Sequence, residues 1–350
     1  MKIDKISTPL LFAILSVYAA ISITSFFYYG LPSLMGEIPQ QLYSDSVTYQ
    51  QLANSLEIGA QLVSVNSNLM GPVFVLWIFD GNLIAVHLFN LAIALLSILI
   101  ACKFLKINRW IFLVTTLSSP LLFFSTFGVN KEIFLLPTSI FLLIYLQSRS
   151  KIWLVYALLM ACFARWQMVL FVILVYLITN KKINPIYRNR RLTLILLIAV
   201  ISIAYGLLSS GEFAAINQIS IDGAQNDMDA QASGIYSKMH GLQAYYAYFL
   251  VLIPKAIQLL LGLLSRFSID SFELDFWNYF VLMFQCLHNL VLIIFVFFDK
   301  KITLLNNHLF LICIFLILFS VTPIFNPRYF YPVAVWLSLW LASNDDIEKI

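Results

Sequence analysis

The sequence predicts an all-α polytopic membrane protein that forms a single membrane domain over residues 1–350. Hydrophobic residues make up 61% of the chain and charged residues only 11%, and the mean hydropathy is +0.89. Apolar segments of roughly 20 residues, the length at which a helix crosses a bilayer, recur along most of the chain. No soluble domain is visible between them, so the fold class follows from these segments and their order.

The first apolar segment, residues 8–28, follows Lys2 and Lys5. It is longer than the hydrophobic region of a signal peptide, and no small-residue cleavage site stands at its end. We therefore expect a retained helix whose N-terminus lies in the cytoplasm.

About ten transmembrane helices are predicted along the chain. Their approximate bounds are 8–28, 82–102, 109–127, 132–147, 152–164, 167–179, 192–210, 276–298, 303–322 and 329–342. With this topology the cytoplasmic side carries 15 of the 21 lysines and arginines, and the outer side carries 12 of the 17 acidic residues. The positive-inside rule requires such an asymmetry, and it places both termini in the cytoplasm.

Two segments decide this topology. Residues 152–179 are apolar enough for one long helix, but that helix would move the basic run 181–191 to the outer side. We therefore predict two short segments that meet at Arg165. Each measures about 20 Å, which is less than a full span, so Arg165 is expected at the base of a wet cavity. Residues 242–267 carry Pro254-Lys255 at their centre and are predicted to be interfacial or re-entrant.

Two long outer segments result, at about 29–81 and 211–275, and both contain runs that predict interfacial helices. Charged residues from different segments then fall on this one side of the membrane. They are Asp45, Lys131, Glu132, Arg165 and Arg328. A charge is costly in hydrocarbon unless it is paired or lines a wet cavity, so their convergence indicates a binding or catalytic site.

Each of these residues also has a purely structural interpretation. Asp45 precedes a helical pattern and would make a good N-cap. Lys131 and Glu132 would form an ion pair in an ordinary polar turn. Arg165, beside Trp166, and Arg328 would anchor helix ends at the level of the lipid headgroups.

The first outer loop resembles a known family. Asp45 and Tyr49 share one helix face, four residues apart, in the pattern Asp-x-x-x-Tyr-x-x-Leu-Ala, and a helix beginning near Gly71-Pro72 follows. This arrangement after a first membrane helix resembles the GT-C superfamily of membrane glycosyltransferases. Near the other end, Arg328-Tyr329 followed by Pro332 resembles the stretch that opens the last helix in many members. The resemblance covers residues 1–105 and 303–342, and the middle of the chain is similar in architecture only.

The resemblance implies a GT-C-like fold and transfer of a sugar from a polyprenyl phosphate or diphosphate at the outer face of the bacterial cytoplasmic membrane. It implies Asp45 as the catalytic base that accepts the proton of the acceptor hydroxyl. The leaving group is an anionic phosphate, which basic residues stabilise. The residues expected to bind substrate are Tyr49, Lys131, Glu132, Arg165, Gln167, Arg328 and Tyr329.

Many members of this family carry an Asp-Glu pair in the first loop, whereas Ser46 follows Asp45 here. We therefore predict no metal ligands and leave open whether a divalent metal ion takes part. The expected partners are a polyprenyl-linked sugar donor, a glycan or lipid-linked acceptor and membrane lipids. Nucleic acid is not expected, because the basic residues are spread over short loops.

By the same resemblance, the protein would act in the assembly of a surface polysaccharide such as O-antigen or capsule. It would add single sugars or polymerise repeat units. The competing class is a transporter or flippase, in which ionisable residues lie near the bilayer midplane. A non-catalytic assembly partner is a third alternative. The depth of the charged residues distinguishes transfer from transport.

Overall fold

The computed structural model describes residues 6–29, 49, 52–53, 70–187, 189–208, 248–261, 276–320 and 327–343. Over these residues the regular structure is helical, with one isolated antiparallel bridge between Ile107 and Ser343. The helices are α1 (Thr8–Tyr28), α2 (Met70–Ile78), α3 (Leu83–Phe104), α4 (Arg109–Leu117), α5 (Pro120–Ser125), α6 (Leu135–Ser148), α7 (Lys151–Ala164), α8 (Trp166–Thr179), α9 (Arg190–Leu208), α10 (Tyr248–Leu261), α11 (Phe276–Asp299), α12 (Asn307–Phe319) and α13 (Tyr331–Ala342). Short 3-10 turns, Glu132–Phe134 and Pro327–Phe330, precede α6 and α13.

Four of the described helices, namely α1, α3, α9 and α11, are long and apolar enough to cross a membrane. Several others, such as α7 and α8 with 14 residues each, are apolar but shorter. The all-α prediction is thus confirmed for the described residues. The total of ten spans stays a prediction.

One end of the bundle gathers most of the described lysines and arginines, and we call it the basic end. Three contacts join distant parts of the chain there. Arg109 Nη1 donates to Ile6 O across 3.1 Å. The amide of Asn108 donates to Ala342 O across 2.7 Å, and Lys300 Nζ donates to Ser343 O across 2.8 Å. Helices α1, α4, α11 and α13 therefore all have one terminus at this end.

Helices α7 and α8 form an antiparallel hairpin. The start of α7 and the end of α8 meet at the basic end, where Arg149 Nη1 donates to Thr179 O across 3.3 Å. The turn of the hairpin is Arg165 alone, with extended backbone angles of φ −165° and ψ 146°. The two short segments predicted for 152–179 are therefore present. They place Arg165 about 21 Å from the basic end, at what we call the site end.

Helix α10 covers only part of the length of the bundle. Near its start the Tyr248 hydroxyl donates to Ile317 O, close to the end of α12. Near its end Leu260 O accepts a hydrogen bond of 3.0 Å from Asn289 Nδ2, which lies within α11. The described part of this helix therefore runs from the site end into the bundle and ends beside the middle of α11.

The segment predicted as one helix over 109–127 is in fact broken into α4 and α5. The break lies at Ser119, whose extended backbone precedes Pro120, because proline disfavours a helical conformation in the residue before it. Gln285 of α11 satisfies the polar groups that the break exposes. Its Oε1 accepts from Ser119 Oγ at 2.8 Å and from the amide of Leu121 at 3.2 Å.

Candidate functional site

A buried ion cluster lies at the site end of the bundle. Arg165 Nη2 donates to Glu132 Oε1 across 2.7 Å. Arg328 Nε lies 3.8 Å from the same carboxylate oxygen. The side chains of Arg165, Arg328 and Glu132 are only 6%, 7% and 2% exposed. A single carboxylate thus lies between two guanidinium groups from distant parts of the chain.

Tyr329 and Lys131 complete this ion cluster. The Arg165 guanidinium carbon lies 3.4 Å from the centroid of the Tyr329 ring, and that of Arg328 lies 5.5 Å from it. A cation stacked on an aromatic ring is held in orientation as well as attracted. Lys131 is buried and lies close enough to Tyr329 to interact with it electrostatically. The ion cluster therefore consists of Lys131, Glu132, Arg165, Arg328 and Tyr329.

Two polar side chains on α3 hold the turn that carries Lys131 and Glu132. His87 Nδ1 lies 2.9 Å from Thr126 O, and Asn90 Nδ2 donates to Gly128 O across 2.9 Å. Asn130 closes the turn from within, because its Oδ1 accepts from the amide of Ile133 at 3.1 Å. These bonds satisfy backbone groups that have no helical partner and fix the position of the turn.

Helix packing fixes the position of Arg165. Gly71 of α2 lies against the end of α7, so closely that a Cβ atom on Gly71 would be 1.8 Å from the carbonyl oxygen of Phe163. The Arg165 amide donates to Ala161 O at 2.9 Å, and Arg165 O accepts from the amide of Met168 at 2.9 Å. Both ends of the one-residue turn are therefore anchored in helices.

Arg328 is placed by the 3-10 turn that opens α13. Phe330, two residues after Arg328, is fully buried and packs edge-on against Phe315 of α12, with ring centroids 5.4 Å apart. Further along α13, Trp336 Nε1 donates to Ser139 O of α6 across 3.2 Å. The helix that follows Arg328 is thereby fixed to the helix that follows Glu132.

The ion cluster is chemically suited to bind an anion. In a low-dielectric site, charges act on each other more strongly than in water, and buried charges persist only when they are paired. Arg165 and Arg328 lie against Glu132, and the third cationic side chain, Lys131, lies near Tyr329 of the same cluster. Arg165 Nε is buried without a hydrogen-bond partner among the described residues. It offers an N–H on the same guanidinium group that Glu132 already contacts.

Five of the predicted site residues thus come together in the ion cluster. Gln167 follows the hairpin turn, and its Oε1 is buried without a hydrogen bond in the described part of the chain. Tyr49 has helical backbone, is 1% exposed and belongs to the hydrophobic core. Asp45, the predicted base, lies outside the described residues.

Several buried polar residues of the bundle were not among the predicted site residues. His87 and Asn90 position the turn at 126–131, Gln285 bridges the broken helix, and Lys255 is fully buried on α10. All lie within apolar segments. A polar residue inside an apolar segment indicates a function or a packing contact. This feature of the sequence could have identified these four residues.

Among the described residues, no group of three or more His, Cys, Asp or Glu side chains is placed to hold a metal ion. Comparison of the chain with protein-family models, curated proteins and solved structures finds no match.

Proposed function

We propose that the protein is a membrane glycosyltransferase that takes a sugar or oligosaccharide from a polyprenyl phosphate or diphosphate. The proposed reaction occurs at the outer face of a bacterial cytoplasmic membrane, in the assembly of a surface polysaccharide, with polymerisation of repeat units as one form. The observation that carries the proposal is the ion cluster. Three buried cations and an aromatic ring, from three separate parts of the chain, meet at the end of the bundle opposite the basic end.

The proposed chemistry needs a base and an anion site. Asp45 accepts the proton of the acceptor hydroxyl, whose oxygen attacks the anomeric carbon of the sugar. The bond from this carbon to the phosphate oxygen breaks, and the phosphate leaves with the electron pair. Lys131, Arg165 and Arg328 stabilise the charge on the phosphate, and the planar arginine groups suit its oxygens best.

The helix lengths support a carrier that is attached to a lipid. Helices α7 and α13 contain 14 and 12 residues, which is about 21 and 18 Å, against a hydrocarbon thickness of about 30 Å. Helices α1 and α3 contain 21 and 22 residues, which suffices for a full span. In a membrane, the ion cluster at the ends of the shorter helices would lie below the outer limit of the hydrocarbon, within reach of a lipid-linked phosphate, and this supports the proposed carrier.

The direct test uses the purified protein in liposomes with polyprenyl phosphate and diphosphate sugars and a lipid-linked acceptor. The expected result is a new glycan–acceptor product together with free polyprenyl phosphate or diphosphate. The Arg165→Lys variant keeps the positive charge beside Glu132 but loses the planar guanidinium group, and it should form at least about ten times less product, the scale of one charge-assisted hydrogen bond. An Arg191→Lys variant is the control, because Arg191 is exposed at the basic end. Absence of product from every donor would count against the proposal.

A second candidate, a flippase for the same lipid-linked sugars, is favoured by a different observation. Lys255 is fully buried on α10, seven residues after Tyr248 and thus about 10 Å further into the bundle. The break between α4 and α5 meets α11 through Gln285. Broken helices and buried charges among membrane helices are typical of transporters. Movement of a labelled lipid-linked sugar across the liposome bilayer, without a new product, would support this candidate.

A further inference from the structure

We propose that Glu132 is a built-in competitor for the anion, a residue that sets how tightly the ion cluster holds a phosphate. The inference rests on the proposed function for the identity of the phosphate, which is that of the lipid-linked donor. The binding itself does not require that function. Glu132 was expected to bind substrate, and that expectation stays a prediction; the role inferred here is that of a competitor for the same cations.

The geometry places the carboxylate where an anionic ligand would also bind. Glu132 Oε1 accepts from Arg165 Nη2 at 2.7 Å and lies 3.8 Å from Arg328 Nε. One oxygen atom is thus shared between two guanidinium groups. Carboxylate and phosphate oxygens bind the N–H groups of arginine in the same way. A phosphate that reached both guanidinium groups would therefore compete with this oxygen.

Glu132 is held in this place by its surroundings. It begins the 3-10 turn before α6 and is 2% exposed. The amide of the next residue, Ile133, donates to Asn130 Oδ1 across 3.1 Å. This bond holds the backbone of the turn, and the hydrogen bond from Arg165 holds the carboxylate itself in the ion cluster. An incoming phosphate has to share the guanidinium groups with it, for example through Arg165 Nε, which has no hydrogen-bond partner in the described part of the chain.

This sharing has a use in a transfer reaction. The released polyprenyl phosphate or diphosphate carries more negative charge than the sugar-linked donor. Three buried cations without a nearby carboxylate would hold the product more tightly than the donor. Specificity is a difference of affinities, and a repulsive group can create it. Glu132 lowers the affinity for the more highly charged product and so assists its release.

The test measures binding of inorganic pyrophosphate and of polyprenyl phosphate to the purified protein in nanodiscs. The Glu132→Gln variant should bind both probes at least about ten times more tightly than the wild-type protein, since an anion no longer competes with a charged group. The control variant is Asp299→Asn. Asp299 also pairs with a cation, Lys300, at 3.2 Å, but at the basic end and 60% exposed. It should leave the affinity for both probes unchanged.

Equal or weaker binding by folded Glu132→Gln protein would overturn the inference. If this variant does not fold, Glu132→Asp is used instead. It keeps the charge but moves it away from the guanidinium groups by one methylene, so its affinity for the probes should lie between those of the wild-type protein and the Glu132→Gln prediction. A loss of affinity in Glu132→Asp would equally overturn it. Nanodiscs made of phosphatidylglycerol, without either probe, serve as a control. They show whether a general lipid headgroup occupies the ion cluster in place of a carrier phosphate. Tighter phosphate binding without glycosyl transfer in any variant would keep this inference and reject the proposed function.

Discussion

Arg165 donates to Glu132 across 2.7 Å although 33 residues separate the two along the chain. Both side chains are buried, and each begins or ends a helix at the same end of the bundle. Removal of one partner from such a pair leaves a buried charge without its main counter-charge. The pair is therefore the part of the ion cluster whose energetics can be measured most directly.

A double-mutant cycle should show this coupling. Arg165→Met or Glu132→Leu alone is expected to lower the free energy of unfolding by about 3–5 kcal/mol, because each leaves a buried charge. The double variant should lose less than the sum of the two. The measurement is reversible denaturation in detergent micelles. Asp299→Asn, which removes a largely exposed partner of Lys300, should cost less than about 1 kcal/mol. Additive losses in the cycle would show that the pair is not coupled.

Arg328→Lys keeps the positive charge but removes the planar group that donates two parallel hydrogen bonds. If Arg328 binds the phosphate of the donor, activity should fall about ten- to a hundredfold, the scale of a charge-assisted hydrogen bond. A headgroup anchor would accept lysine. The assay is turnover of a polyprenyl-linked donor, with Arg191→Lys at the basic end as control. Near-wild-type turnover of Arg328→Lys would contradict the phosphate role.

Asp45→Asn is expected to abolish transfer and to leave the amount and stability of the protein unchanged. Asparagine keeps the shape and the capping ability of aspartate but cannot accept the proton. Product formation and thermal stability should be measured together. Asp80→Asn is a suitable control, because Asp80 is exposed in the loop before α3. Full activity of Asp45→Asn would leave Asp45 as a helix cap.

Gly71→Ala should destabilise the protein by about 1–3 kcal/mol, the usual cost of overpacking. The added Cβ would be 1.8 Å from the carbonyl oxygen of Phe163, so α2 must move away from the end of α7. The comparison is Gly81→Asn, which has open space and a φ of +69° that asparagine tolerates. Thermal unfolding of the two variants should differ clearly. Equal stability would mean that α2 is not packed against α7.

Cysteine labelling should determine which end of the bundle faces outward. In a background without native cysteines, a Cys at position 80 should react with a membrane-impermeant reagent in intact cells. A Cys at position 181 should react only after the membrane is opened. Both positions are exposed, one near the site end and one at the basic end. The reverse pattern would place the ion cluster in the cytoplasm and reject the proposed outer-face reaction.

The sequence alone determined the class of the protein and the bounds of most described helices. Apolar length and the distribution of lysine and arginine suffice for this, because the bilayer imposes both on any chain that crosses it. The same distribution led to the division at Arg165, which the hydrogen bond between Arg149 and Thr179 bears out. The break at Ser119 was not predicted, although Pro120 is a local signal for one. Only the fold shows that Gln285, a residue far along the chain, satisfies the polar groups exposed there.

Only the tertiary structure decided which charged residues touch. The sequence placed Lys131, Glu132, Arg165 and Arg328 on one side of the membrane, but sidedness limits only the depth of a residue. The packing of α6, α7 and α13 brings Glu132 within 2.7 Å of Arg165 and 3.8 Å of Arg328. Such contacts depend on how helices pack side by side in the membrane plane. Hydropathy and charge bias act along the membrane normal and carry no information about that packing.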